Sequence, residues 1–185
     1  TTYSKFAVID LTENDIRKEL KKFLANQILI HLDYPERLRR IYKDKPKDNL
    51  RKYVSDLILP NKHVSFYPEQ GFWGEVVTAE ILQKNRRAIL PCYRLRYKEL
   101  RDMAMRGKAD VIACKILSNR LTIIFAEVKS RTTYDKKIAK DAYEELVSNN
   151  VDVPEIVDYI SKRLQDQDEY NLVRFFDKAI IDPRY

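Results

Sequence analysis

The sequence predicts an α/β protein, of the α+β kind, in which helices flank a mixed β-sheet and a helical N-terminal extension precedes it. Apolar residues recur at helical spacing in the first part of the chain, whereas short apolar runs typical of strands dominate later. The character of the sequence changes near Pro68. We therefore expect an extension over residues 1–70 and a core over residues 71–185, together forming one compact unit.

Two helices are expected in the extension. Thr12 followed by Asp15 resembles an N-terminal capping arrangement. Apolar residues then recur with a helical period, at Ile16, Leu20, Phe23, Leu24 and Ile28. A loop rich in Lys, Asp and Pro follows at about 43–48, and Asp48 is expected to open a second helix that stops before Pro60.

The core is expected to begin with a helix over residues 71–85 that carries Phe72, Trp73 and Val76. Short apolar runs then predict three strands, over residues 89–97, 109–117 and 121–129. A charged helix at about 135–148 and a second helix from Pro154 follow, and a final strand is expected at about 175–181. This order of elements suggests a mixed sheet with helices on its faces.

The composition favours a reducing compartment and a polyanionic partner. The 35 basic residues against 28 acidic ones give a net charge of +7, which suits nucleic acid or an anionic membrane surface. No apolar run approaches the roughly 20 residues that a membrane span needs. Cys92 and Cys114 lie in apolar, strand-like contexts typical of buried thiols, and His31 and His63 are too isolated for a zinc site. We therefore expect a cytoplasmic protein.

The turn at Ser118-Asn119 fixes the register of the last two predicted strands. A two-residue loop there pairs Leu117 with Arg120, and the same register continued along the hairpin places Asp110 directly opposite Glu127. Lys129 follows Glu127 by two residues, so its side chain points to the same face. The sequence therefore predicts two carboxylates and a lysine on one face of the hairpin.

Two opposed carboxylates repel each other, and a divalent cation resolves that conflict. Carboxylate oxygens suit Mg²⁺ or Mn²⁺, and a lysine beside such a metal can orient a water and help to deprotonate it. This is the equipment for phosphodiester hydrolysis. The alternative is two surface acids balanced by a lysine, since a Glu-x-Lys triplet also arises by chance.

At these residues the sequence resembles the PD-(D/E)XK nuclease superfamily. The resemblance rests on Gly107-Lys108-Ala109-Asp110, an apolar hairpin, and Phe125-Ala126-Glu127-Val128-Lys129-Ser130. It implies a restriction-endonuclease-like αβββαβ core, in which Asp110, Glu127 and the Val128 carbonyl bind Mg²⁺ and Lys129 positions the nucleophilic water. It also implies a further glutamate on the first core helix, for which Glu75 fits best and Glu80 is the rival. Ala109 stands where many members have proline.

A narrower resemblance extends over about residues 71–135. The stretches Gly71-Phe72-Trp73-Gly74-Glu75 and Arg106-Gly107-Lys108-Ala109-Asp110, with the Glu-Val-Lys-Ser strand, look like the nuclease subunit of the Hachiman anti-phage system, the HamA-like family. The resemblance implies a helicase partner, for which residues 1–70 would offer a docking surface.

Basic residues near the predicted site are candidates for contacts with the DNA backbone. They are Lys108, Arg131, Lys136, Lys137 and Lys140. The last three are expected to begin the charged helix, where acidic residues alternate with them, so an ordinary solvated helix surface is the alternative.

These observations predict a Mg²⁺- or Mn²⁺-dependent deoxyribonuclease that acts in anti-phage defence with a helicase. The alternative is a subunit with a nuclease-like fold that binds nucleic acid or a helicase without cutting. A third possibility, a basic structural or ribosome-associated protein, explains the charge but not the hairpin.

Overall fold

The structure is a computed structural model that describes residues 17–59, 67–98, 109–131, 133, 135–148 and 153–182. Helices and strands both contribute to it. The helices are α1 (Arg17–Leu32), α2 (Pro35–Tyr42), α3 (Lys47–Tyr53), α4 (Tyr67–Arg86), α5 (Ile138–Ser148), α6 (Val153–Gln165) and α7 (Tyr170–Ile181). The strands are β1 (Val111–Leu117) and β2 (Arg120–Ala126). None of the helices in these ranges is long and apolar enough to cross a membrane.

The hairpin of β1 and β2 has the predicted register. The strands pair antiparallel from Val111 opposite Ala126 to Leu117 opposite Arg120. Ser118 and Asn119 both have positive φ angles, of 50° and 61°, as the tight turns that suit the twist of a hairpin require. The predicted turn and register are therefore confirmed. The strands are shorter than expected, because the ladder ends one residue before Asp110 and Glu127.

The predicted strand over residues 89–97 is wrong. Only Ile89 of this segment pairs with the hairpin: its amide and carbonyl exchange hydrogen bonds of 2.8 Å with those of Cys114. Pro91 follows closely, and a proline has no amide hydrogen with which to continue a ladder. The end of the segment, Arg94–Tyr97, forms a 3₁₀ turn instead.

The predicted strand over residues 175–181 is also wrong, because these residues belong to α7. Val173 and Phe176 are buried in the core, and Leu172 and Ala179 pack against it. These spacings of three and four residues are helical rather than alternating. The chain is thus α/β as expected, but its described residues form a two-stranded antiparallel sheet with one added bridge, not the expected mixed sheet.

The N-terminal helices confirm part of the expectation. α1 is the predicted first helix, although Thr12, Asp15 and Ile16 lie outside the described residues. The predicted second helix is α3, which begins at Lys47 and continues as a π-helical turn to Ile58. Between them lies α2, which was not expected even though Pro35 occupies its first position, where proline is favoured. The predicted boundary at residue 70 falls in the first turn of α4.

Two apolar clusters place these helices around the hairpin. In the larger cluster, Val157 and Ile160 of α6 and Phe176 of α7 pack against Ile112 and Cys114 of β1. Full burial of each such large side chain contributes roughly 1.5–3 kcal/mol to stability. A second cluster joins α1 to α4, and its buried members are Ile28, Phe72, Val76 and Leu95. α4 also lies against β1, and Gly74 in the first half of α4 lies against Val128, which follows β2.

Candidate functional site

Asp110 directly precedes Val111, the first paired residue of β1. Its amide donates a hydrogen bond of 3.0 Å to the Ala126 carbonyl. Its Oδ2 accepts one of 2.7 Å from the amide of Val128. The carboxylate is therefore held against the segment that leaves β2, which is the segment that carries Glu127.

Glu127 and Lys129 form an ion pair at the same end of the hairpin. Lys129 Nζ lies 3.0 Å from Glu127 Oε1, and it also donates to Oε2 of Glu145 on α5. The Glu127 side chain is only 8% exposed. Burial raises the pKa of Glu127, against the opposing effect of the Lys129 hydrogen bond. Although burial lowers the pKa of Lys129, its hydrogen bonds with Glu145 and Glu127 raise it overall, so this lysine is cationic.

Glu75 joins these residues from α4. Burial is the main cause that raises its pKa to about 7, and the negative charge of Asp110 is the next. Glu127 adds a smaller effect in the same direction, whereas Lys98 and Arg94 oppose the shift. Glu75, Asp110 and Glu127 are therefore close enough to repel one another.

Gly74 explains how α4 approaches the segment after β2. A Cβ atom added to Gly74 would lie 2.6 Å from Cγ1 of Val128 and 3.6 Å from Cβ of Ser130. A glycine is therefore required for this close approach. The contact brings Glu75, the next residue on the helix, beside Asp110 and Glu127.

Glu80, the rival candidate on α4, has different neighbours. Its Oε1 lies 3.4 Å from Nε2 of buried His31, and its Oε2 lies 3.7 Å from Nζ of Lys84. Burial, and then the positive charge of Arg96, lowers the pKa of His31 to about 4, so the imidazole is neutral at neutral pH. The contact between His31 and Glu80 thus serves the packing of α1 against α4. Electrostatic contact with Asp110 and Glu127 distinguishes Glu75 as the better candidate.

A small open pocket of about 20 Å³, which is room for about one water molecule, lies between α4, β1 and the segment that precedes the 3₁₀ turn. Its polar lining includes Glu75, Asp110, Arg94, His31 and Tyr93. A guanidinium nitrogen of Arg94 lies 3.3 Å from the Asp110 carbonyl. Glu75 and Asp110 therefore share the lining of this pocket, whereas Glu127 does not line it.

The sequence did not point to three residues at this site. Arg94, in the predicted strand 89–97, and Lys98, directly after it, act on the charge of Glu75, and Glu145 holds Lys129 from α5. Arg94 is one of two arginines, with Arg96, in the run over residues 89–97, and a charged residue in a predicted strand was the available signal. Glu145 had no signal, because many acidic residues surround it in the sequence.

Four of the five candidate DNA-contact residues lie at the surface. Arg131, Lys136, Lys137 and Lys140 are exposed, and Lys140 pairs with Glu144 at 3.5 Å. Lys136 and Lys137 precede α5 rather than beginning it. Lys108 lies outside the described residues.

The donor set fits a hard divalent cation that keeps part of its water shell. In the described ranges, no three His, Cys, Asp or Glu side chains lie close enough together to hold one metal ion. Mg²⁺ commonly uses one or two carboxylates and retains several waters, so it does not need three such side chains. The mutual repulsion of the carboxylates of Glu75, Asp110 and Glu127 would be relieved by a cation.

Fold and site together define a mixed α/β protein with Asp110, Glu127 and Lys129 at the open end of a β-hairpin and Glu75 on the helix beside it. The chain belongs to the HamA family, whose model matches residues 2–184. The predicted HamA-like resemblance is therefore confirmed, and it identifies a protein related to Hachiman defence. A search of curated proteins finds no significant match. Membership of the PD-(D/E)XK superfamily is compatible with these findings and stays a prediction.

Proposed function

We propose that this protein is a metal-dependent nuclease that hydrolyses DNA phosphodiester bonds as the effector of a Hachiman-type defence system. The observation that carries the proposal is the meeting of Asp110, Glu127 and Lys129 at one end of the hairpin, with Glu75 on the helix beside it. A purely structural cluster would gain nothing from three mutually repelling acids.

Asp110 and Glu127 would hold Mg²⁺ or Mn²⁺, with Glu75 and the Val128 carbonyl as further oxygen donors. The bound cation would activate water and offset charge on the phosphate. The hydrogen bond from the Val128 amide fixes the Asp110 carboxylate before any cation binds. Such preorganisation lowers the cost of assembling the site.

Lys129 would position the attacking water as a cation. An ammonium has three N–H donors, and the contacts with Glu127 and Glu145 use two of them. The third remains for a water or a phosphate oxygen. Since its hydrogen bonds keep Lys129 protonated, its role is orientation and charge stabilisation rather than proton removal.

The substrate would be held by exposed basic side chains beside the site. Lys136 and Lys137 are exposed, and Arg131 and Lys140 would exchange their contacts with the Ser130 carbonyl and Glu144 for contacts with DNA. These contacts carry no sequence information, so they would support binding to many DNA sequences.

A helicase is the proposed partner, because the HamA family belongs to the Hachiman system, which includes a helicase. Its docking surface is proposed within residues 1–70, where α1, α2 and α3 lie. Restraint by a partner requires that the partner bind the active and inactive states with different affinity. Co-purification from the native host, followed by deletion of residues 1–60, tests this; recovery of a free and constitutively active nuclease would contradict it.

The second candidate function is a subunit that binds DNA or a helicase without cutting. The exposed basic residues alone would support it, but it gives no role to the acidic site. Calorimetric titration with Mn²⁺ separates the two. The nuclease proposal predicts binding that Asp110→Asn weakens and Asp141→Asn, at an exposed position on α5, does not. The absence of binding in the unaltered protein would favour the second candidate.

A further inference from the structure

Two carboxylates from separate parts of the chain hold the Lys129 ammonium. Nζ lies 3.0 Å from Glu127 Oε1, and it also donates to Glu145 Oε2. Glu127 follows β2, whereas Glu145 lies on α5. We propose that Glu145 is a positioning residue that fixes the Lys129 ammonium beside Glu127; the inference rests on the proposed nuclease function.

The geometry indicates that Glu145 holds the Lys129 ammonium beside Glu127 and does not draw it away. Both contacts exist at the same time, so Glu145 does not draw Nζ away from Glu127. A lysine side chain is long and flexible and samples many rotamers when it has one anchor. A second anchor on another element restricts Nζ to one place, with its third N–H donor still unused by these carboxylates.

The contact between Lys129 and Glu145 is expected to affect the orientation of the Lys129 side chain more than the stability of the fold. The Glu145 side chain is 47% exposed, and α5 buries none of its side chains. Exposed ion pairs of this kind contribute little to folding free energy. Removal of Glu145 should therefore leave the fold intact while it frees Lys129.

Glu144 provides a matched control on the same helix. Its side chain is 61% exposed and pairs with Lys140 at 3.5 Å, which is a contact within α5. Glu144→Ala therefore removes the same charge and the same side-chain length from the same helix, without a contact to Lys129.

The first measurement follows the chemical reactivity of the Lys129 amine and does not depend on DNA cleavage. Full-length protein is acylated with a small activated ester at fixed pH, and modification of Lys129 is followed by peptide mass spectrometry. Glu145→Ala is expected to speed modification of Lys129 several-fold, Glu145→Gln to speed it less, and Glu144→Ala to leave it unchanged. Equal rates in Glu145→Ala and the unaltered protein would overturn the proposal.

The second measurement is the rate of DNA cleavage. In Mg²⁺, Glu145→Ala is expected to lower kcat about tenfold or more, since small misplacements of a catalytic group have effects of this size or larger. KM, DNA affinity and Tm should stay near those of Glu144→Ala, and Glu145→Gln should recover part of kcat. Faster modification of Lys129 with unchanged kcat would overturn the positioning role. Faster modification in a protein that never cuts, even with its partner, would support the contact and overturn the nuclease function.

Discussion

Gly74 on α4 lies so close to Val128 that a Cβ atom added at Gly74 would be 2.6 Å from Val128 Cγ1. Gly71, three residues earlier on the same helix, has no atom within 4 Å of the same position. A glycine inside a helix ordinarily makes the folded protein less stable than an alanine at the same position would, by roughly 1 kcal/mol. Substitution of each glycine by alanine therefore separates the effect of helix propensity, which both positions share, from the effect of close packing, which only Gly74 has.

Gly74→Ala is expected to destabilise the protein by about 1–3 kcal/mol, as overpacking does, and to displace Glu75 from the site. Gly71→Ala is expected to stabilise it by up to about 1 kcal/mol. Urea denaturation of both variants measures the difference. A Gly74→Ala variant as stable as Gly71→Ala would mean that α4 does not approach Val128 as described.

Divalent cations should stabilise the folded protein, because they would relieve the repulsion among Glu75, Asp110 and Glu127 and bind only the folded state. At a concentration 100 times Kd the gain is about 2.7 kcal/mol. Asp110→Asn should lose that gain, and its metal-free form should be slightly more stable than the unaltered protein. The Asn side chain can still accept the Val128 hydrogen bond, so the comparison isolates the charge.

Thermal denaturation with Mg²⁺, Mn²⁺ or EDTA provides the measurement. Asp141→Asn, at an exposed position on α5, is the control and should respond to metal like the unaltered protein. A Tm that does not change with millimolar metal would contradict the proposed site.

Stability without metal should fall as pH rises through the range in which Glu75 ionises. The pKa of Glu75 is raised from 4.5 to about 7, so between these values the folded state holds a proton that the unfolded state has lost. The favourable contribution is present below pH 4.5 and is lost by about pH 7, and it amounts to at most about 3 kcal/mol. Glu75→Gln should remove this pH dependence.

Denaturation in EDTA from pH 4.5 to 8 measures this effect. Glu80→Gln is an informative comparison, because Glu80 lies beside His31 and Lys84 rather than beside Asp110. If Glu75→Gln and the unaltered protein show parallel profiles, Glu75 is not close to the other carboxylates.

Lys129→Ala should reduce cleavage by about a hundredfold or more, which is typical for loss of a group that stabilises the transition state. DNA binding should remain, because the lysine acts on the attacking water and not chiefly on the backbone. A nicking assay and a binding isotherm give both quantities. Lys45→Ala, at an exposed position before α3, controls for loss of one positive charge. An equal fall in binding and cutting would make Lys129 a phosphate clamp.

The register of the hairpin could be predicted because it depends on local information. The turn at Ser118-Asn119 and the two-residue period of a strand set the pairing of every residue between Val111 and Ala126. The HamA-like motifs are also short stretches of sequence, so they could be recognised without the structure. Residues two apart in the sequence, such as Glu127 and Lys129, could therefore be expected to meet.

Two of the predicted strands were wrong because a short apolar run does not distinguish a strand from a buried helix. The run at 175–181 is the second half of a helix whose period is clear only when Leu172 and Val173 are included. The run at 89–97 contains Pro91, which a ladder position with an amide donor would exclude.

The remaining parts of the site depend on tertiary packing. Arg94 and Lys98 reach Glu75 only because the segment after Pro91 turns back towards α4, and Glu145 reaches Lys129 only because α5 lies beside the end of the hairpin. Neither placement is encoded in a local spacing. The close approach at Gly74 is of the same kind.

The most direct test of the nuclease proposal is cleavage of supercoiled plasmid DNA by the protein purified together with its native partners. The proposal predicts nicked or linear DNA in Mg²⁺, intact DNA in EDTA, intact DNA with Asp110→Asn in Mg²⁺, and normal cleavage with Asp141→Asn. Intact plasmid in Mg²⁺ and in Mn²⁺, with ATP and every co-purified partner present, would contradict it, as would cleavage that persists unchanged in Asp110→Asn.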